Sequence, residues 1–373
     1  NPIIINAILN LLYKNGVRQA EGGEFTYRAF LNGKKDLAQA EAVCDLITSK
    51  TKMSAKAALN TLSGGFSQKV NDIKNQVIKF LAYIEASLDY PQEDDVPFLT
   101  PEQKIQMIDE IINLNQNLLS AYKISKILKH GLKAAIIGKP NVGKSSLLNA
   151  ILGKERAIVT EIAGTTTDTI EEMIDCRGLP LTIIDTAGLR NKKGNQIESL
   201  GQQKTKETII YADIIIWLFD SCLDLDANDF EIASYIKNIG FQGAIFAVLN
   251  KIDLIKETKP LLSLEKIGNF ESVIKISALK NIGINELLDK IAQYGGLSDI
   301  QNDYLLLNSR HWELLNSVQE NLIEIKTIIE QKQEDEIAVL KARNALSCLE
   351  DILGIQTPTD ILDSIFSTFC IGK

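Results

Sequence analysis

The sequence predicts a multidomain chain in which a discontinuous α-helical bundle is interrupted by an inserted α/β domain with a mainly parallel sheet. Three observations carry this reading. Apolar residues recur at helical spacing from Asp36 to His130 and again from Tyr304 to the chain end. The centre instead alternates short apolar runs with helical patterns, and at its start Gly138-Lys139-Pro140-Asn141-Val142-Gly143-Lys144-Ser145 stands where a strand hands over to a helix. Helices on both sides of one α/β block are most simply one bundle that carries the block as an insertion.

In chain order, residues 2–13 form a short apolar helix and pass through Gly16, Gly22 and Gly23 into Glu24-Phe25-Thr26-Tyr27-Arg28-Ala29-Phe30-Leu31-Asn32-Gly33. That segment is too small to be a domain, and with no methionine at Asn1 an N-terminal portion is expected to be missing. Leu37, Ala40, Val43 and Ile47, then Val70, Ile73, Val77, Leu81 and Ile84, mark bundle helices. Pro91, Pro97 and Pro101 interrupt them around the acidic turn Glu93-Asp94-Asp95, after which Ile105, Ile108, Ile111, Ile112 and Leu118 restart a helix ending near His130-Gly131. Strands are predicted at 133–137, 171–176, 181–185, 214–219, 244–249 and 273–276, and helices at 144–152, 198–211, 226–238 and 284–294. Beyond Gly295-Gly296, helices are predicted over 304–329 and 334–353, and Pro358 restarts a last one that stops at Gly372. The expected domain limits are 1–33, 34–130, 131–297 and 298–373.

A length of 373 residues with 45% hydrophobic content suits two or three domains with real cores. A net charge of −8 excludes a chain coated with basic surface, so nucleic acid must meet a local patch or be held by a partner. Lys123, Lys126, Lys129 and Lys133 offer such a patch, although a solvated run complementing a helix C-terminus is the preferred reading. The five cysteines lack any C-x-x-C pairing and only two histidines are present, which points to a reduced, cytoplasmic protein without a zinc site. No apolar run approaches the ~20 residues of a membrane span.

The chemistry lies in the inserted block. In G-x-x-x-x-G-K-S the backbone N–H groups of Asn141, Val142, Gly143, Lys144, Ser145 and Ser146 are placed to close around phosphate oxygens. Lys144 brings positive charge to the β/γ-phosphates and Ser145 a hydroxyl for Mg²⁺. The strand at 181–185 ends on Asp185-Thr186-Ala187-Gly188, where the aspartate can bind Mg²⁺ through water and the Gly188 N–H can meet a γ-phosphate. Asn250-Lys251-Ile252-Asp253 follows a buried strand, and its aspartate suits the N1–H and exocyclic amine of guanine, which selects GTP over ATP. Ser277-Ala278-Leu279 would buttress the base with a backbone N–H. Gly164-Thr165-Thr166-Thr167-Asp168 reads either as a polar loop or as a switch whose threonines reach the γ-phosphate and Mg²⁺. Leu189 follows Gly188 where many small GTPases carry a water-orienting glutamine, so another group must serve, with Arg190, Gln196 and Glu198 the nearby candidates.

With these motifs, Gly-Glu-Phe-x-x-Arg-Ala-Phe-Leu-Asn-Gly-Lys near the start and Phe369-Cys370-Ile371-Gly372-Lys373 at the end, the whole chain resembles the MnmE (TrmE) family of tRNA-modification GTPases, of the TrmE-Era-EngA-like class. The resemblance implies a multidomain fold. It comprises the C-terminal remnant of a folate-binding α+β domain, a discontinuous helical bundle and an inserted Ras-like P-loop GTPase domain. It implies a homodimer that works with the flavoprotein MnmG (GidA) on C5 of the wobble uridine of certain tRNAs, using a one-carbon tetrahydrofolate derivative. GTP hydrolysis would be coupled to G-domain dimerisation.

By residue, the resemblance implies that Asn141 ligates K⁺, Glu198 positions the hydrolytic water, Cys370 serves tRNA modification, and Glu24 and Arg28 lie near the folate pocket. Each has a plainer alternative: Asn141 as a turn former, Glu198 as a first-turn helix acid, Cys370 as a packed thiol. Thr167 stands where the family has an arginine. The alternative function is a GTP-gated RNA or ribosome assembly factor, for which no basic RNA-binding appendage is visible.

Overall fold

The computed structural model describes residues 1–89, 99–154, 171–185, 209–255, 261–297, 304–367 and 369. Packing divides the chain into two compact units: Asn1–Thr48, Lys56–Tyr122 and Tyr304–Lys373 form one, Ser49–Ala55 and Lys123–Asp303 the other.

The first unit is helical. It contains α1 (Pro2–Lys14), α2 (Glu24–Leu31), α3 (Leu37–Thr48), most of α4 (Lys52–Leu62), α5 (Gly65–Asp89) and most of α6 (Pro101–His130). Its helices from the other end of the chain are numbered α10 (Ser309–Glu330), α11 (Asp335–Leu353) and α12 (Thr359–Ser367). One core joins both chain segments: Phe66, Ile73 and Phe80 of α5, Ile108 and Ile111 of α6, Leu315, Leu322 and Ile325 of α10, and Ala338, Ala342, Ala345 and Leu349 of α11. The small residues on α11 fall at helical spacing and make one buried stripe. Asn115 of α6, fully buried, donates through Nδ2 to Leu315 O at 2.9 Å and Gln319 Oε1 at 2.8 Å.

Periodicity predicts a helix from Tyr304, but the helix begins at Ser309. Asn308 ends the preceding segment as an N-cap, accepting from His311 N at 2.8 Å, and Leu305, Leu306 and Leu307 are buried ahead of it. Their backbone finds partners on α4: Leu306 N donates to Thr61 Oγ1 at 2.9 Å and Asn60 Nδ2 to Tyr304 O at 3.2 Å. Side-chain partners thus satisfy groups a further helical turn would otherwise have used. Close by, Glu41 of α3 receives Arg310 Nε and Nη2 at 3.0 and 2.7 Å and lies 2.7 Å from His311 Nε2. Burial works against the Glu41 charge, but His311 and Arg310 hold its carboxyl below the ordinary range.

A smaller cluster gathers Leu37, Ala40, Leu362, Phe366 and Phe369, with Tyr27 and Phe30 against it; the Tyr27 and Phe366 rings meet edge-on at 4.9 Å. Phe369 packs onto Gly23 so closely that a Cβ there would stand 2.9 Å from the Phe369 Cβ. Cys370 lies outside the described residues. Helix α1 buries none of its residues within the described chain.

The second unit is built on a six-stranded sheet, order β2-β3-β1-β4-β5-β6. The strands are β1 (Leu132–Ile137), β2 (Glu171–Cys176), β3 (Leu179–Asp185), β4 (Ile214–Asp220), β5 (Ala244–Asn250) and β6 (Ser272–Lys275). All pairings are parallel except that of β2, which runs antiparallel to β3 as an edge hairpin. Helices α7 (Lys144–Lys154), α8 (Ala227–Asn238) and α9 (Ile284–Tyr294) complete the layers, and most of the predicted helix at 198–211 lies outside the described residues. Alternation along β1 supplies two cores: Ala134 and Ile136 join Leu147, Ile151 and Ile291, while Ala135 and Ile137 join Trp217 and Ile236. Burial on both faces is why β4 and residues 134–137 of β1 read as continuous apolar runs. Ser49–Ala55 packs with this unit: Thr51, N-cap of α4, exchanges hydrogen bonds with Ser54 at 3.0 and 3.1 Å and donates through Oγ1 to Gly178 O at 2.7 Å, at the tip of the β2–β3 hairpin. No helix among the described residues is long and apolar enough to cross a membrane.

Candidate nucleotide-binding site

In an open α/β sheet the ligand crevice lies beyond the carboxyl ends of the strands where strand order reverses, and β1 is that point here. The loop 138–143 leaves β1 and enters α7 at Lys144, so the first N–H groups of α7 have no carbonyl partner within the helix. Asn141 adopts φ 65°, a conformation asparagine tolerates. Lys144 Nζ donates to Gly138 O at 2.7 Å and Lys139 O at 2.8 Å, which lays the ammonium across the mouth of the loop.

Asn250 closes β5 and knits the loops of Val142 and Ala278 together. Only 3% exposed, it donates through Nδ2 to Val142 O at 2.8 Å and accepts on Oδ1 from Ala278 N at 3.0 Å. Gly143 makes this possible: a Cβ there would lie 2.3 Å from Asn250 Nδ2. Lys251, at φ 67°, places Nζ 2.6 Å from Asp220 Oδ2 at the end of β4. Asp253 keeps its side chain only 8% exposed, with Lys280 Nζ 3.7 Å away. The Ser277 hydroxyl donates to it and, against the effect of burial, holds its carboxyl below the ordinary range. An ionised, acceptor-only carboxylate at a crevice rim matches a base edge presenting two N–H donors. Ser277 is fully buried and pairs with Ile282 through two 3.1 Å backbone bonds, fixing the loop that carries Ala278 and the 84% exposed Leu279.

The sequence profile of the MnmE helical domain matches residues 37–370, and that of the N-terminus of GTP-binding protein TrmE matches residues 1–34. The chain belongs to the MnmE family. A tRNA modification GTPase MnmE of Endomicrobium trichonymphae is 56% identical over 374 residues, taking in 100% of this chain and 81% of that protein. Those of Aquifex aeolicus and Clostridioides difficile are 42% and 41% identical, over 100% of this chain and 81% and 80% of their own. The chain is accordingly a GTP hydrolase.

The remaining residues expected from the MnmE resemblance fare unequally. Ser145 and Ser146 open α7, and Asp185 ends β3 level with Ile136 of β1, the residue before the strand's last; the Asp185 side chain lies outside the described residues. Thr165, Thr166, Gly188 and Glu198 also lie outside them. Glu24 receives Arg18 on both oxygens at 2.7 and 2.5 Å, Arg28 Nε at 3.1 Å and Glu21 N at 2.9 Å. The Arg18 hydrogen bonds, then that from Glu21, bring its carboxyl down to about 2. Both oxygens are therefore committed within the chain. Arg18 and Asp220 are absent from the sequence reading, and no local pattern distinguishes them; Asp226 and Asp229 are absent too, although their i, i+3 spacing at the start of a helix is a capping signal.

Proposed function

We propose that the chain is a K⁺-dependent GTPase that, as a homodimer and with the flavoprotein MnmG (GidA), drives modification of C5 of the wobble uridine of certain tRNAs in the cytoplasm with a one-carbon tetrahydrofolate derivative. The proposed domain limits are 1–33 for the folate-domain remnant, 34–130 and 298–373 for the helical domain, and 131–297 for the G domain. The observation that carries the nucleotide half is Asn250, buried and bonded at once to the phosphate loop and to the base loop, beside a carboxylate kept ionised.

In this reading Asp253 accepts from guanine and the Ser277-Ala278-Leu279 loop, its Ala278 N–H held by Asn250, presents the Leu279 N–H to the guanine oxygen. Lys144 and the N–H groups of 141–146 hold the β/γ-phosphates, and Thr165 and Gly188 meet the γ-phosphate. Hydroxyls of Ser145 and Thr166 and the Asp185 carboxylate would hold Mg²⁺ as oxygen donors, and the ion would supply charge neutralisation on the transferred phosphoryl group. Asn141, presented at the loop apex by its positive φ, offers an amide oxygen to K⁺, whose charge would stand in for an arginine finger. Glu198 orients the water that Leu189 cannot. Cys370 acts in tRNA modification: Phe369, beside it in sequence, packs on Gly23, close in sequence to Glu24 and Arg28. With both Glu24 oxygens committed to Arg18 and Arg28, the outer N–H groups of Arg28, whose side chain is 67% exposed, would face a folate.

The test is multiple-turnover GTP hydrolysis in matched K⁺ and Na⁺ salts. Turnover should fall about tenfold or more in Na⁺, within the range of arginine-finger effects. In Asn141→Ala most of that difference should vanish while GDP affinity is kept; equal rates in both salts for the unsubstituted chain would refute K⁺ activation.

A further inference from the structure

The phosphate loop carries a second lysine for which nucleotide binding supplies no role. Lys139 follows Gly138 directly, yet its Nζ lies at the N-terminus of α8, 2.7 Å from Asp229 Oδ2 and 3.0 Å from Asp226 Oδ2. The Lys139 side chain is 10% exposed and that of Asp229 fully buried. The two aspartates also cap α8: Asp226 N donates to Asp229 Oδ2 at 3.1 Å, and Asp226 Oδ1 accepts from Asn228 N at 2.9 Å. Asp229 Oδ1 finds no donor among the described residues, so the lysine carries most of the compensation for that buried charge. Burial opposes the ammonium, but the two carboxylates more than offset it and raise its pKa.

Two carboxylates within 3.0 Å of Nζ leave no net positive charge there for a phosphate. What remains is mechanical. The Lys139 carbonyl accepts Lys144 Nζ at 2.8 Å, and Asn141 lies two residues on. One residue is thus held at its side-chain tip by a buried carboxylate and at its main chain by the phosphate-binding lysine. We propose that Lys139 is a positioning residue of the GTPase: its ion pair with Asp229 and Asp226 braces the phosphate loop against α8 and sets where Lys144 and Asn141 meet the reacting phosphates. A displacement of about 1 Å in such a loop is enough to lower turnover by about a hundredfold. The proposal rests on 138–145 being the phosphate loop.

The experiment uses the full chain, mant-GDP binding, GTP turnover and thermal melting. Lys139→Met should lower kcat tenfold or more with KM within threefold, and Lys139→Arg, which keeps a cation long enough to reach both carboxylates, should restore kcat to within threefold. Lys139→Met leaves Asp229 buried and unpaired and risks misfolding. Lys139→Met/Asp229→Asn removes that charge with its partner; it should melt near the unsubstituted chain and show the loss of one single variant, not the product of two. A kcat within twofold of the unsubstituted chain in the double variant, or Lys139→Arg as slow as Lys139→Met, would overturn the brace. Absence of mant-GDP binding by the unsubstituted chain would overturn the phosphate-loop reading itself, and the brace with it.

Discussion

Replacing Asn250 with alanine removes two hydrogen bonds from one buried side chain, and the groups abandoned, Val142 O and Ala278 N, belong to residues 2% and 5% exposed. Each buried group left without a partner costs about 1–3 kcal/mol, and water entering the crevice returns part of that. A combined loss of about 3 kcal/mol, felt by two loops that must both be in register to hold a nucleotide, corresponds to roughly a hundredfold weaker GDP binding at 1.4 kcal/mol per tenfold. The assay is a mant-GDP titration with a parallel thermal melt, so that any share of the penalty taken as folding stability is seen separately. Gly143→Ala supplies an internal check. Its new Cβ, 2.3 Å from Asn250 Nδ2, should weaken binding on its own and do less added harm in the Asn250→Ala background, where the obstructing amide is gone. A GDP affinity for Asn250→Ala within threefold of the unsubstituted chain, at unchanged melting temperature, would refute the view that Asn250 joins the phosphate and base loops.

Glu41→Gln should destabilise the helical unit by about 3–5 kcal/mol at neutral pH, because it leaves Arg310 and His311 facing a neutral amide in a buried site. The sign with pH follows from the depressed Glu41 carboxyl: its contribution is complete above the ordinary value of 4.5 and fades as pH falls below it, so urea midpoints of the two proteins should converge in acid. Glu198→Ala should reduce kcat with little change in nucleotide affinity; a large affinity loss in fluorescence titration would mark the side chain as structural. Cys370→Ser should leave turnover and melting intact while abolishing wobble-uridine modification in a reconstituted reaction with the flavoprotein, and loss of both activities would point to packing instead.

What the sequence discloses is what is local. The six strands fall within two residues of those expected from periodicity, and the strand–loop–helix handover at Gly138 to Lys144 stands where the spacing puts it. Backbone geometry dictates those patterns within a dozen residues, so a single sequence suffices to read them. The start of α10 escapes because Leu305 to Leu307 are as apolar as a helix face, and the partners that bond their segment ahead of the helix, Asn60 and Thr61, lie on α4. Glu41 and Arg310 are 269 positions apart, and no periodicity links residues at that distance. Lys139 looks from its position like a phosphate ligand; only the fold reveals that α8 supplies two carboxylates to it. Ser49–Ala55 carries no α/β signal, and packs with the sheet because Thr51 meets the hairpin carbonyl of Gly178.

The bond from Asn115 to Leu315 spans 200 positions, and nearly everything between its ends is the inserted sheet unit. Within that unit Leu132 and Ala292 share one core with Leu297 packed against it, so the strands' folding brings entry and exit of the insertion together. For an unfolded chain, closing α6 on α10 means closing a very long loop. Once the insertion has folded, the effective loop shrinks to a few tens of residues, which lowers the closure entropy by on the order of 1 to 2 kcal/mol. The order of assembly is thereby biased: a folded sheet unit lowers the entropy of closing α6 on α10, and whatever stabilises that unit would favour completion of the helical core.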